Sequence, residues 1–293
     1  MIEGLELRTG YLHEAASRGA LRDLLADIFD IDVAVMDRLG GHDPSAVPFS
    51  YFDADGRCVA NLTVFEMPLI IHGRTVRAAG YQSGAVRPEH RGRGLFQKVT
   101  RAALAWSQAK HFELDLLMTD KPGLYEPYGF EVIPQHHVSG PIQPAAVAPD
   151  VRPLSVSEPR ELALIRSLLA DRRPVSDRFA VGRQAEMFLF NAALDAEIRL
   201  SYLPVEGALV AWRRDDAGLR ILDIVGHDIP PLDRVVAGVD PGAGIVEVDF
   251  PTDRLGWQGQ AVAHRGDCVL MARGHIPIHI EGKPLMLSPM ANF

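Results

Sequence analysis

Cysteine is nearly absent from this 293-residue chain, which carries two, Cys58 and Cys268. They stand far apart, with no CxxC pair and no His/Cys spacing, so the sequence offers neither a disulfide framework nor a zinc site. Two buried thiols in a reducing compartment are expected, and no metal. An excess of positive charge is lacking too: 30 Lys and Arg against 38 Asp and Glu leave a net charge of −8. A nucleic-acid partner is therefore not expected, because such proteins need a basic footprint to displace counterions from phosphates. An acidic surface suits cationic small molecules better. No apolar run approaches the roughly 20 residues that span a bilayer, and residues 1–8 lack the basic start and apolar run of a secretion signal. The expectation is a cytoplasmic protein without a membrane partner.

What is present is the balance of an ordinary packed protein, 47% hydrophobic and 23% charged. The length favours two domains. The best linker is segment 140–150, rich in proline and small residues and free of periodic pattern, which gives expected domains of 1–142 and 143–293. In the first, a short strand near 5–8 precedes a helix over 11–29, with Leu21, Leu24, Leu25 and Ile28 at helical spacing. A short helix over 33–39 follows. Residues 49–52 and 58–71 read as strands joined by the turn Asp53-Ala54-Asp55-Gly56, and a second hairpin turns at His72-Gly73-Arg74. Its outgoing strand, 76–86, runs into a glycine- and arginine-rich loop, then an amphipathic helix to about 110 and an apolar strand over 114–119. That crossover implies a parallel pair. Beyond the linker, helices are expected at 159–169 and 184–191, and strands at 197–202, 208–213, 219–225, 244–250 and 268–273. The order loosely echoes the first half.

The chemistry points to Arg91-Gly92-Arg93-Gly94-Leu95. A loop between a strand and a helix turns its backbone amides, and the positive end of the helix dipole, toward any ligand held there. Gly92 and Gly94 allow close backbone approach, while Arg87, Arg91 and Arg93 add cationic donors for phosphate oxygens, a combination suited to a pyrophosphate. His90 is a further candidate. The alternative is a surface turn with solvated arginines. A Gly-Lys-Ser/Thr ending is missing, as is a third glycine at dinucleotide-fold spacing, so neither rival nucleotide cradle applies.

The run Val86-x-Pro88-x-x-Arg91-Gly92-Arg93-Gly94-Leu95 resembles the acetyl-CoA pyrophosphate signature of the GNAT superfamily of N-acetyltransferases. The family pattern Q/R-x-x-G-x-G/A falls on Arg91, Gly94 and Phe96, and Phe96 is a departure. It is similar to an Arg-rich variant found in multi-domain bacterial acetyltransferases of the enhanced-intracellular-survival type. Downstream, Gly123-Leu124-Tyr125-Glu126-Pro127-Tyr128-Gly129-Phe130 is similar to the family's LYEKLGF element. The resemblance implies an α+β fold with a mixed central sheet flanked by helices, followed by a smaller, degenerate GNAT-like domain without a pyrophosphate loop. It implies acetyl transfer from acetyl-CoA to a primary amine of a small molecule. The alternative is a catalytically silent acyl-CoA-binding module; a homo-oligomer is possible in either case.

Acyl transfer to an amine needs an oxyanion donor, a base, and a proton for the departing thiolate. The resemblance implies that the strand ending at Val86 splays from its neighbour and frees backbone amides near Ala85 and Val86, and that Tyr125 is the general acid. A core aromatic is the alternative for Tyr125. Glu66 stands out as a carboxylate in an apolar strand that borders the acceptor groove in the family, either as base or as an outward-facing solvated side chain. Gln82 is a further groove residue. The terminal carboxylate of Phe293 is a second candidate base by resemblance, against docking of the apolar tail elsewhere. His136, His137, His275 and His279 complete no metal set and are read as surface histidines.

Overall fold

The computed structural model describes residues 4–216, 218–274 and 285–293. The chain opens with β1 (Glu6–Thr9), α1 (Ala15–Phe29), α2 (Val35–Leu39), β2 (Val47–Phe52), β3 (Cys58–Glu66), β4 (Leu69–Ile71), β5 (Arg74–Val76), β6 (Ala78–Val86), α3 (Leu95–Ala109) and β7 (Leu114–Thr119). It continues through β8 (Glu131–Ile133), β9 (His136–Pro141), β10 (Arg152–Leu154), α4 (Pro159–Ala170), β11 (Phe179–Val181) and α5 (Ala185–Leu194). Then come β12 (Arg199–Leu203), β13 (Ala208–Asp215), β14 (Gly218–Gly226), α6 (Leu232–Val239), β15 (Ile245–Val248), β16 (Gln260–Ala263) and β17 (Val269–Gly274). The fold is α+β, with two seven-stranded mixed sheets and a small three-stranded one.

Local chemistry accounts for the elements nearest the loop. The β2–β3 turn closes because Asp53 accepts backbone N–H bonds from Asp55 and Arg57, and Gly56 takes φ +79°. The strand expected over 58–71 is two strands. Pro68 has no N–H to offer a ladder, so β3 stops at Glu66 and β4 leaves to pair with β5 and β11. Helix α3 buries Leu95, Val99, Ala103 and Leu104 against β2, β3 and β6. Strand β7 is buried along nearly its whole length, as its apolar run foretold.

The first sheet has the order β1-β2-β3-β6-β7-β17-β8, and β6–β7 is its parallel pair. The second runs β10-β12-β13-β14-β15-β9-β16. Its β14 and β15 are also parallel and are joined through α6, so the strand–helix–strand unit of the first half recurs. There the connection enters α6 from Pro231, without a glycine loop.

Strands cross the expected 142/143 boundary both ways. Gly140 and Pro141, read as linker, end β9, which pairs with β15 and β16 in the second sheet. Gly140 lies so close to Trp257 that an added Cβ would come 3.1 Å from the indole. In return β17 inserts between β7 and β8 of the first sheet. The last residues lie between the halves: Leu287 N–H donates to Gln135 Oε1 (2.8 Å), Ser288 Oγ to the Leu222 carbonyl (2.9 Å), and Asn191 Nδ2 to the Asn292 carbonyl (2.9 Å).

Two side-chain expectations need correction. Cys58 is buried, and burial pushes its thiol up to about 12, but Cys268 is exposed. His137 is a buried residue: it lies in β9 with Nε2 3.6 Å from Glu247. His275 and His279 lie outside the described residues. No described helix is long and apolar enough to cross a membrane.

The central packing makes a test. The Phe65 ring covers Gly80 so closely that an added Cβ would lie 2.4 Å from it. Gly80→Ala is expected to destabilise the fold by about 1–3 kcal/mol through overpacking, read as a lower urea midpoint at unchanged m-value.

Candidate active site

The pairing of β6 sets the geometry. On one side it follows β3 to the end, with Ala60 opposite Val86. On the other it pairs with β7 only from Ala78 to Tyr81, opposite Leu114 to Leu117. Past Tyr81 the two strands separate, leaving a gap flanked by residues 82–86. The β3–β6 register also shifts here. Thr63 faces Gln82 and Asn61 faces Ala85, so Ser83 and Gly84 together oppose Leu62 as a bulge. Ser83 takes φ +60°, a left-handed conformation rare for a residue with a Cβ.

Beyond the bulge, Arg87 N–H donates to the Val59 carbonyl at 2.9 Å. N–H groups along a strand alternate in direction, so the Val86 N–H turns toward the gap while Ala85 faces Asn61. The chain then makes a short 3-10 turn, Pro88–His90, and enters α3. Gly92 and Gly94 have φ +75° and +73°. An added Cβ at either would meet no protein atom within 4 Å, so the backbone conformation itself is what favours glycine there. Gly94 caps α3 without a side-chain hydrogen bond. The first turn closes at Lys98 N–H to the Gly94 carbonyl (3.1 Å), leaving the amides of Leu95, Phe96 and Gln97 without intrahelical partners. Three such amides at the positive end of a 15-residue helix form an anion cradle.

The arginines divide. Arg91 and Arg93 are exposed beside the cradle, Arg91 Nε bonded to the Val86 carbonyl (3.2 Å) and Arg93 to His90 Nδ1 (2.9 Å). Arg87 turns inward. Its side chain is 3% exposed, Nε donates to the Cys58 carbonyl (2.8 Å), and the guanidinium pairs with Asp27 on α1. Arg87 is therefore an anchor of the loop rather than a phosphate donor. The Leu95 side chain is core, and its amide is what faces the cradle.

Tyr125 stands across the gap. Its ring is buried edge-on against Phe96 (centroids 5.6 Å apart) and Phe130 (6.0 Å), and its hydroxyl lies 2.8 Å from where a Gly84 Cβ would be. That hydroxyl has no protein hydrogen-bond partner among the described residues. Burial, with the negative charge of Asp120, pushes the phenol up to about 12. The bulky Phe96 thus holds the Tyr125 ring.

Glu66 is not part of this arrangement. It ends β3 opposite Ala79, three residues and so about 10 Å along the strand from the Thr63–Gln82 pair. Its side chain is more than half exposed, 3.9 Å from Arg77. A carboxylate in an apolar run marked the edge of a strand. Gln82 borders the bulge, half-buried. The Phe293 ring stacks edge-on against Phe65 at 5.1 Å, on the sheet face where Phe65 covers Gly80, two residue pairs from Thr63 and Gln82. A cavity of about 430 Å³ lies elsewhere, between α2, α4 and α5, and contains none of these groups.

Residues 42–133 match the family described as acetyltransferase (GNAT) domain. No curated protein matches. Among solved structures, the chain is similar to a GCN5-related N-acetyltransferase from Kribbella flavida (18% identity, TM-score 0.57), covering 92% of this chain and 72% of that one. A probable N-acyltransferase from Enterococcus faecalis gives 14% identity and TM-score 0.61 over the same shares, 92% and 72%. Eis1 from Mycobacterium abscessus gives 15% identity and TM-score 0.56 over 91% of this chain and 73% of that one. The segment that holds β6 and its loop is a GNAT acetyltransferase domain, and the fold of nearly the whole chain is shared with these proteins.

The division among the arginines is testable by calorimetry and thermal melting. Arg91→Ala and Arg93→Ala are each expected to weaken CoA binding about 3- to 10-fold with little change in melting temperature, as loss of a charge-assisted bond implies. Arg87→Ala is expected to lower the melting temperature first.

Proposed function

We propose that this protein transfers the acetyl group of acetyl-CoA to a primary amine of a small molecule, at one site in the first half of the chain. The observation that carries the reading is the Tyr125 hydroxyl, without a hydrogen-bond partner among the described residues, set at the bulge of β6 beside a gap that leads to the α3 cradle. The GNAT domain over residues 42–133 supports it.

The amides of Leu95, Phe96 and Gln97, with Arg91 and Arg93, would hold the pyrophosphate. Acetyl-CoA supplies the acyl group as a thioester. The Val86 N–H would donate to the carbonyl oxygen as the amine nitrogen bonds to the carbonyl carbon and negative charge grows on that oxygen. As the carbon–sulfur bond breaks, Tyr125 would give its phenolic proton to the thiolate. The proton lost by the amine needs an acceptor. With Glu66 solvent-exposed at the end of β3, the candidate base is the carboxylate of Phe293, whose ring is seated against Phe65 on the sheet.

Tyr125→Phe is expected to lower kcat about 100-fold, within the range general acids contribute, in an assay of acetyl-CoA-dependent thiol release across a panel of amines. Full rate in that variant would remove the acid. CoA affinity without turnover on any amine would make the protein a binding module. A phenol pushed up to about 12 stays protonated as pH rises. The rate is therefore expected to climb as the amine loses its proton and to hold without a falling limb to about pH 10. Extending the chain by Gly-Ser after Phe293 keeps the ring and moves the carboxylate. It is expected to lower kcat more than about 10-fold at an unchanged melting temperature.

A further inference from the structure

A buried hydrogen-bond chain ends on the strained residue of the bulge. Asn61, fully buried in β3, donates from Nδ2 to the Ser83 carbonyl at 2.8 Å and to Thr63 Oγ1 at 3.1 Å. Its Oδ1 accepts from Ser50 Oγ at 2.7 Å, and Ser50 in turn shares a 2.6 Å bond with the Tyr11 hydroxyl. Ser50 and Tyr11 are buried as well. A carbonyl can only accept, so the Asn61 amide is fixed with nitrogen toward Ser83. Both its donors and its acceptor are engaged within the protein, which leaves nothing for a ligand.

The partner explains the bond. Ser83 holds φ +60° without being glycine, and such a residue persists only where its surroundings determine it. Left alone, residues 82–85 would relax toward regular pairing with β3. The two-residue bulge opposite Leu62 would shrink, and a register slip would turn the following side chains to the other face. Gly84 would then no longer lie beneath the Tyr125 hydroxyl.

We infer that Asn61 is a positioning residue for acyl transfer. Its side-chain amide clamps the Ser83 carbonyl and so holds the β6 bulge that aims the Val86 N–H and seats the Tyr125 hydroxyl. Ser50 and Tyr11 hold Asn61 in turn, linking the start of the chain to the reacting centre. The inference rests on the acetyl-transfer reading above for its kinetic consequence, though not for its structural one.

The test uses the full chain, acetyl-CoA with the best amine of the panel, and hydrogen exchange of the segment 82–86. Asn61→Ala is expected to lower kcat about 10- to 100-fold, the scale of a small misplacement of catalytic groups. The dissociation constant for CoA should stay within about twofold, because the α3 cradle lies outside the bulge. Exchange in 82–86 should quicken more than about 10-fold, as for a segment that opens locally. Adding Ser83→Gly, which accepts positive φ without strain, is expected to recover about 5-fold or more of the lost kcat and to slow the exchange. A folded Asn61→Ala variant with kcat and exchange within about twofold of the parent would overturn the clamp. So would a double variant that recovers neither, since general destabilisation is not repaired at Ser83. Should Asn61→Ala not fold, Ser50→Ala removes the support from behind Asn61 and is expected to move both readouts the same way, about 3-fold; no movement would overturn the clamp equally. If the parent protein transfers acetyl to no amine while exchange responds to Asn61, the transfer reading fails and the clamp stands.

Discussion

A strand can pair on both edges or open on one, and β6 does each in turn. From Ala78 to Tyr81 it is an inner strand between β3 and β7; from Gln82 to Val86 it keeps β3 and gives up β7. Unpaired backbone groups in a protein interior are costly, so such an opening persists only where something else meets them or the chain is held apart. Here the bulge, the buried hydrogen-bond chain and the anchor of Arg87 on Asp27 hold it. The free amides, the approach of Tyr125 to Gly84 and the entry of the chain into α3 all follow from that single departure from regular pairing.

The second half braces the opening from outside. β17 takes the edge of β7 that would otherwise be free, and its Arg273 reaches Asp115, which also accepts from Tyr81 and Ser107. β11 extends the small sheet of β4 and β5, and the tail lays Phe293 on Phe65. The first sheet is therefore completed by residues more than a hundred positions away. Strands exchanged in both directions argue that the halves form together, whatever their separate histories.

Much of this was legible in the sequence because the signals were local. Glycines at 92 and 94 between an apolar strand and an amphipathic helix announced the cradle, and the parallel β6–β7 pair followed from the crossover. The rest was set by distant partners. Nothing near Arg87 distinguishes it from Arg91 and Arg93; its role comes from Asp27, sixty residues earlier. Glu66 looked anomalous in an apolar run because Pro68, two residues on, had already ended the strand. Gly140 and Pro141 carried linker chemistry, yet β15 and Trp257 draw them into a sheet. Asn61 gave no signal at all, since a buried Asn is meaningful only through its partners. The sole hint of the bulge was Ser83-Gly84 inside a strand, where a glycine suggests irregular backbone.

Phe96 shows how a departure from a motif can be a compensation. A small residue at the second position of α3 would remove the ring that meets Tyr125 edge-on from that helix. That ring also lies 3.3 Å from the position a Gly84 Cβ would occupy. The bulky side chain thus narrows the space over the bulge and removes freedom from the tyrosine. The Phe96 amide is untouched by this, and it is the amide that completes the cradle. One residue can then face two neighbouring places, its backbone amide toward the open start of α3 and its side chain toward Tyr125. A motif written in side chains misreads such a position, because what the cradle requires of it is only an N–H.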